Sequence, residues 1–389
     1  MYEIVISNEE NIKKIMLVEN KKLVEYYEED SNKKRLEGNI YLGKIRNIVP
    51  GMQAAFVDIG VGKNTFIQVK DLIPKLDETK GEKQDIKEIQ EIAKIGMNVV
   101  VQIKKDATSK KGARVSTHIN LPGKYLAYMP NVNFITVSQK IENNEEKDKL
   151  KKILSKIIPE GSGAIIRTSA LYASEEEISV EAKKLISEWN QIHKKAKNSN
   201  EIQLLYKADN IISKIIKDTI SNQISRIVVD NDEDYNEVKD ILKDLNIKRK
   251  IAIEKKEKSI EVYELYKQID KNFARKIWLK CGGFITIDKT EALTAIDVNS
   301  GKYTGDVNQE QTIYTVNKEA TEEIAKQLRL RDIGGIIIVD YIDMHNEENK
   351  QRIIDFFKEC IKKDRSKTQI LEFTRLNLLE LTRKHMFSN

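Results

Sequence analysis

Two apolar runs, each ending in an aspartate, constrain this chain more than any other feature. They lie about forty residues apart: Glu291-Ala-Leu-Thr-Ala-Ile-Asp297-Val-Asn299-Ser and Ile336-Ile-Ile-Val-Asp340-Tyr-Ile-Asp343-Met. Strand side chains repeat every second residue, so Asp297 and Asn299 point to one face. The four β-branched residues before Asp340 predict a buried strand. Between the runs, Ala320, Ile324 and Leu328 recur at helical spacing, Arg329 and Arg331 fall in the expected last turn, and Gly334 is placed to end the helix. Strand, helix, strand implies a crossover within one sheet, which can bring two strand ends together. A carboxylate just past a buried strand is costly unless it is paired or binds a cation. Two carboxylates and one carboxamide suit Mg²⁺ or Mn²⁺, which take oxygen ligands and usually keep several waters. Aspartates at strand ends also serve as caps and turn formers, so the pattern alone leaves a structural role open.

Composition narrows the class. The chain has 389 residues, enough for two to four domains, with 40% hydrophobic and 33% charged residues, as in a soluble globular protein. No run of eighteen apolar residues exists, so no membrane span is expected. The first ten residues are acidic and lack the apolar region of a signal peptide, which points to the cytoplasm. Net charge is +6, a mild basic excess that permits nucleic-acid binding without requiring it. Cys281 and Cys360 form no CxxC pair, and His118, His193, His345 and His385 have no metal-ligand spacing, so neither zinc nor a disulfide framework is expected.

Along the chain, residues 1–35 read as short strands with a turn at Glu19-Asn20-Lys21-Lys22. Residues 36–119 hold five short strand patterns with glycine breaks, which suggest a small β-barrel interrupted by a charged insertion at roughly Leu76 to Lys94. A charged helix is expected around 144–157 and a long amphipathic one around 174–200. Residues 208–275 alternate helix and strand.

At the two aspartate runs the chain resembles the ribonuclease E/G family of bacterial endoribonucleases. The matching blocks are ITIDKTEALTAIDVNSG (Ile285 to Gly301), NKEATEEIAKQLRLRDIGGIIIVDYIDM (Asn317 to Met344) and LEFTRLNLLELTRKH (Leu371 to His385). The resemblance implies an α+β multidomain fold. An S1 (OB-fold) β-barrel, residues 36–119, is inserted in an RNase H-like subdomain made of residues 1–35 and 208–275. Residues 120–207 form a 5′-phosphate sensor region, and residues 276–389 a DNase I-like α/β catalytic subdomain.

The implied activity is Mg²⁺-dependent hydrolysis of single-stranded RNA to 5′-phosphate and 3′-hydroxyl ends, in rRNA maturation and mRNA turnover, with Mn²⁺ as the alternative ion. Asp297 and Asp340 would hold the metal, and Asn299 would orient Asp297 or a metal-bound water. Asp343 and Arg375 lie in matching blocks and rank below these three. The resemblance assigns Arg167 and Thr168 to the 5′-monophosphate pocket, where a guanidinium fork and a hydroxyl suit phosphate. It assigns Phe56, Phe66 and Lys111 to RNA contact on the barrel, where aromatic faces accept any base.

Two departures from the family pattern stand out. The glycine-rich turn usual after the Arg-Thr pair is replaced by Ser169-Ala-Leu-Tyr-Ala173. The CPxCxG motif that links two family chains through zinc does not occur before Asn389, so a homodimer would have to form without it. The reading from another class is a non-catalytic S1-domain RNA-binding protein; a metal-dependent phosphatase or DNA nuclease is a further alternative.

Overall fold

A computed structural model describes residues 1–30, 32, 35–72, 88–107, 112–219, 224–245, 251–301 and 309–387. The chain divides into two compact units, Met1–Lys33 with Asn222–Asn389, and Lys34–Ser221. The fold is mixed α and β and contains a closed five-stranded barrel.

The barrel lies in the Lys34–Ser221 unit. Its strands are Ile40–Val49, Ala54–Asp58, Thr65–Gln68, Asn98–Lys105 and Arg114–Ser116. The first of them pairs with both Ala54–Asp58 and Asn98–Lys105, which closes the ring. Closure removes exposed sheet edges. Alternate residues, among them Ile45, Val57, Ile67, Val101, Ile103 and Val115, fill the interior. The expected charged insertion lies largely outside the described residues. Only a short helix, Ile89–Ile92, is described near its end.

The same unit holds a four-stranded sheet of Ile135–Val137, Gly163–Ile166, Leu126–Met129 and Leu121–Pro122, in that order. The two helices expected here are Asn144–Ser155 and Glu175–Lys197. The second opens with a capping box between Ser174 and Glu177, which satisfies backbone donors at its start. Its buried face, Ile178, Ala182, Leu185 and Ile192, joins Leu126, Tyr128, Leu154 and Ile166 in one core.

In the other unit, Tyr2–Glu9, Ile12–Glu19 and Lys22–Asp30 form an antiparallel meander, with Asn20 and Lys21 at positive φ in the predicted turn. Ile224–Val229 and Ala252–Lys255 extend that sheet in parallel. A second, six-stranded sheet runs Lys276–Trp278, Phe284–Lys289, Leu293–Asn299, Gly335–Asp340, Leu378–Arg383, Thr368–Phe373. The helices Gln309–Leu330 and Glu347–Cys360 bury Ala320, Ile324, Leu328, Ile353 and Phe357 in a core shared with this sheet's inner residues.

Two sequence expectations change here. The Ile336–Val339 run is buried on one face only: Ile337 and Val339 are fully buried, whereas Ile336 is 52% exposed. The two helices cover one side of the sheet, so an apolar run reads as doubly buried when it is not. The helix before it ends at Leu330, so Arg331 lies beyond the last turn and Gly334 is not the terminator. The chain reverses at Asp332, which has φ +45°, and Ile333 N–H returns to the Leu328 carbonyl at 3.0 Å. Asp332 tolerates this conformation because its carboxylate accepts from Arg383 at 2.8 Å and from the backbone N–H of Met386 at 3.0 Å. Gly334 is small for another reason: a Cβ there would sit 2.8 Å from the His385 ring.

Candidate active site

Leu293–Asn299 and Gly335–Asp340 are parallel neighbours, and their register sets Asp297 directly beside Asp340. Their buried partners Ile296, Val298, Ile337 and Val339 face the helices. By strand alternation, Asp297, Asn299 and Asp340 therefore lie on the opposite, open face. Asn299 Nδ2 donates to Asp297 Oδ2 at 2.6 Å. This fixes the carboxylate's orientation and leaves Oδ1 of Asp297 for another partner. Gly283 permits the close approach of the neighbouring chain, since a Cβ there would meet the Asn299 carbonyl oxygen at 2.8 Å.

The segment after Asp340 is anchored from the helix. Asn317, fully buried, donates through Nδ2 to the Ile342 carbonyl at 2.8 Å and accepts the Ile342 N–H on Oδ1 at 3.2 Å. Thr321 and Tyr341 share a hydroxyl hydrogen bond of 2.7 Å. Asp343 is reached from the opposite side by Asn377, whose Nδ2 donates at 3.2 Å while its Oδ1 accepts from Lys350 at 2.9 Å. Arg375 is exposed in the same turn as Asn377. Asn317 and Asn377 escaped the sequence reading. The available signal was an amide at position 317 on a helix face otherwise spaced as apolar, three residues before Ala320.

Partial loss of water, then the negative charges of Asp297 and Asp343, raise the pKa of Asp340 above the ordinary aspartate value. Among the described residues, no lysine, arginine or histidine forms an ion pair with Asp297, Asp340 or Asp343. Two adjacent carboxylates make a site of negative potential that a divalent ion would neutralise. Among the described residues there is no closed group of three or more carboxylate, histidine or cysteine ligands. The donors at hand, the Asp297 and Asp340 carboxylates, are hard oxygens that fit an ion keeping most of its waters, as Mg²⁺ does, and not the sulfur and nitrogen ligands of a structural zinc centre. Cys281 and Cys360 are unpaired and half-buried, and burial pushes both thiols up, away from reactivity.

The other predicted residues lie in the Lys34–Ser221 unit. Phe56 and Phe66 are cross-strand partners on the barrel, half-buried, with ring centroids 5.9 Å apart in an edge-to-face arrangement. Lys111 lies outside the described residues. Arg167 directly follows the strand Gly163–Ile166 and is already engaged: it donates to the Gly123 carbonyl at 2.8 Å and forms an ion pair with Asp218. Thr168 Oγ1 is 3.4 Å from Ser138 Oγ. The chain after Arg167 forms a 3₁₀ turn, Thr168–Tyr172, in place of a glycine-rich loop. Glu181 braces the segment that faces Arg167, accepting the backbone N–H of Lys124 at 2.6 Å and of Tyr125 at 2.7 Å.

Comparison with known proteins adds an independent line. The model of the Ribonuclease E/G family matches residues 120–386. Ribonuclease G of Escherichia coli (strain K12) is 36% identical over 368 residues, covering 93% of this chain and 75% of the relative. Ribonuclease G of Haemophilus influenzae is 35% identical over 388 residues, 98% of this chain and 79% of the relative. Ribonuclease E of Synechocystis sp. is 35% identical over 360 residues, 90% of this chain and 52% of the relative.

Proposed function

The chain belongs to the ribonuclease E/G family and is an endoribonuclease, and from its site we propose how it cuts. The substrate is single-stranded RNA, hydrolysed at an internal phosphodiester to leave 5′-phosphate and 3′-hydroxyl ends. The observation that carries this reading is the register pair Asp297 and Asp340, without an ion-pair partner among the described residues, with Asn299 donating to Asp297.

Asp297 and Asp340 would hold one Mg²⁺, with Mn²⁺ as the alternative. Bound there, the ion supplies Lewis-acid polarisation of the phosphoryl oxygen and stabilises charge on the attacking and leaving oxygens. Asn299 fixes the Asp297 carboxylate, so its free oxygen is presented in one direction. Asn317 and Asn377 hold the segment that carries Asp340 and Asp343, so the carboxylates need little rearrangement to act. Asp343 borders the pair and sharpens its negative potential.

Phe56 and Phe66 offer apolar ring surface to RNA bases on a barrel we assign to the S1 class. Arg167 and Thr168 form the proposed 5′-monophosphate pocket. A phosphate arriving there competes with Asp218 for the guanidinium, which sets a threshold on 5′-end sensing. We assign residues 1–35 and 208–275 to an RNase H-like subdomain and residues 276–389 to a DNase I-like catalytic one. The meander followed by parallel strands, and the helix-backed six-stranded sheet, support those assignments. Roles in rRNA maturation and mRNA turnover are what membership of the family implies. No described helix is long and apolar enough to cross a membrane. An RNA substrate and two unpaired thiols suit a cytoplasmic setting.

The test is cleavage of a short A/U-rich RNA carrying a 5′-monophosphate or a 5′-hydroxyl, with and without Mg²⁺, by the wild type and by Asp340→Asn. Metal-dependent internal cleavage lost in the variant is expected. Equal cleavage by both proteins at saturating Mg²⁺ would overturn the metal assignment.

A further inference from the structure

The register that joins Asp297 to Asp340 continues across the sheet to an aromatic pair that the proposed mechanism leaves unused. Asn299 pairs with Phe284, and Phe284 pairs with Trp278 on the edge strand. In the next row, Asp297 pairs with Thr286 and Thr286 with Lys276. All of these residues share the open face of the sheet. Trp278 is 59% exposed, although the chain has only two tryptophans. Single exposed apolar residues are common and need no explanation. Here the exposed indole is part of a built cluster. Its ring meets Phe284 edge-to-face at 5.3 Å. Lys276 Nζ stands 4.1 Å from the Trp278 ring centroid and 3.6 Å from that of Phe284.

We propose that Trp278 is a stacking platform for a base of single-stranded RNA next to the scissile phosphate, with Phe284 bracing the indole and Lys276 attracting the RNA backbone. The inference rests on the reading of Asp297 and Asp340 as the cleavage centre. Trp278 lies two strand spacings from Asn299, roughly 10 Å, close enough for one RNA strand to touch both. Charge supplies the rest of the argument. Until a cation neutralises it, the carboxylate pair repels phosphates, and a basic flank offsets that repulsion. The flank carries a lysine held over two rings and an indole face open to solvent. Aromatic faces accept any base, which suits an enzyme that needs access to many sequences. Of the two possible occupants, RNA and a second protein, the lysine and the continuity with the carboxylate row favour RNA.

The experiment uses the full chain with Trp189→Phe, so that Trp278 is the only tryptophan, and a short unstructured RNA. Titration in the absence of divalent metal is expected to quench Trp278 fluorescence. Trp278→Ala is expected to raise the RNA dissociation constant roughly 5- to 150-fold, the range for loss of one base–aromatic stack. Trp278→Phe should recover most of the affinity, and Trp278→Leu should not. An RNA made abasic at successive positions near the cut should show the Trp278→Ala effect vanish at one of them. Lys276→Gln should lower the slope of log Kd against log salt by about 0.7.

RNA that binds and is cleaved normally without quenching, with Trp278→Ala and Trp278→Leu both unaltered, would overturn the platform and leave the cleavage reading intact. Quenching with the predicted mutant pattern, but no metal-dependent cleavage, would sustain the platform and remove the catalytic reading. Altered self-association in Trp278→Ala with unchanged RNA affinity would assign the face to protein contact and also overturn the proposal.

Discussion

Asp297 and Asp340 are register partners on neighbouring parallel strands, so one backbone pairing fixes the separation of the two carboxylates. Neither sits on a flexible loop, and the helix-side residues Ile296, Val298, Ile337 and Val339 hold both strands from below. A site built on sheet register is preorganised: its groups stand close before substrate arrives.

That closeness has a cost in the metal-free protein. The raised pKa of Asp340, caused first by lost water and then by Asp297 and Asp343, means that ionisation is less favourable in the folded than in the unfolded chain. Stability from this group therefore falls as pH rises from the ordinary aspartate value, about 3.9, through the raised one. Asp340→Asn removes the charge and keeps the shape. Its melting temperature in chelator at neutral pH should equal or exceed that of the wild type. Its single-turnover cleavage rate with Mg²⁺ should fall by on the order of 10³-fold or more, the upper range for loss of a main electrostatic stabiliser. A variant that melts well below the wild type would show that Asp340 has a structural task.

Asn299→Ala tests orientation separately from charge. Both carboxylates remain, but Asp297 loses the 2.6 Å hydrogen bond that aims it. Metal affinity or turnover should drop about 10- to 100-fold, as is usual when a group that orients a ligand is removed. Cleavage rate against Mg²⁺ concentration separates the two. A shift of the midpoint with a recovered plateau is expected if the ion is bound loosely but correctly. An unchanged curve would mean that Asn299 has no part in the site.

Much of this site was legible in the sequence, for a physical reason. Period-two alternation placed Asp297 and Asn299 on one face, and helical spacing at Ala320, Ile324 and Leu328 required a crossover that returns to the same sheet. The exposure of Ile336 was not legible, because an apolar run carries no mark of which face its neighbours cover. The helix end is not legible either, because glycine is the usual reversing residue whereas here Asp332 reverses the chain under constraint from Arg383. Only the family resemblance singles out Arg167, and its engagement by Asp218 spans fifty-one positions and leaves no local pattern.

The ion pair at Arg167 leads to a paired prediction. Arg167→Ala should lower the ratio of cleavage rates for 5′-monophosphate over 5′-hydroxyl RNA and spare the rate on the hydroxyl substrate. Asp218→Asn should raise that ratio, because a phosphate would no longer compete with a carboxylate for the guanidinium. Both groups are partly exposed, so each variant should lose no more than about 1 kcal/mol of stability. Ratios that stay at the wild-type value in both variants would exclude Arg167 from 5′-end recognition.

Outside the site, a buried triad ties the antiparallel meander to the helix Gln309–Leu330 and to the segment after Glu347–Cys360 in the same unit. Glu25, 1% exposed, accepts from Arg329 at 2.8 Å and also from Arg365, and Tyr27 donates to it at 2.9 Å. Burial acts to raise the pKa of Glu25, but Arg365 and Arg329 together outweigh it and hold the carboxyl below the ordinary glutamate range. A depressed pKa contributes stability that is present above the unfolded value, about 4.3, and is lost as pH falls through the folded one. Glu25→Gln removes the buried carboxylate that Arg329 and Arg365 share. Urea unfolding at neutral pH should show a loss of about 3–5 kcal/mol, the usual penalty for removing one partner of a buried pair. The gap between variant and wild type should narrow on acidification, because the wild type then loses the same charge by protonation. A gap that keeps its size below the carboxylate range would show that packing, and not the charge of Glu25, accounts for the loss.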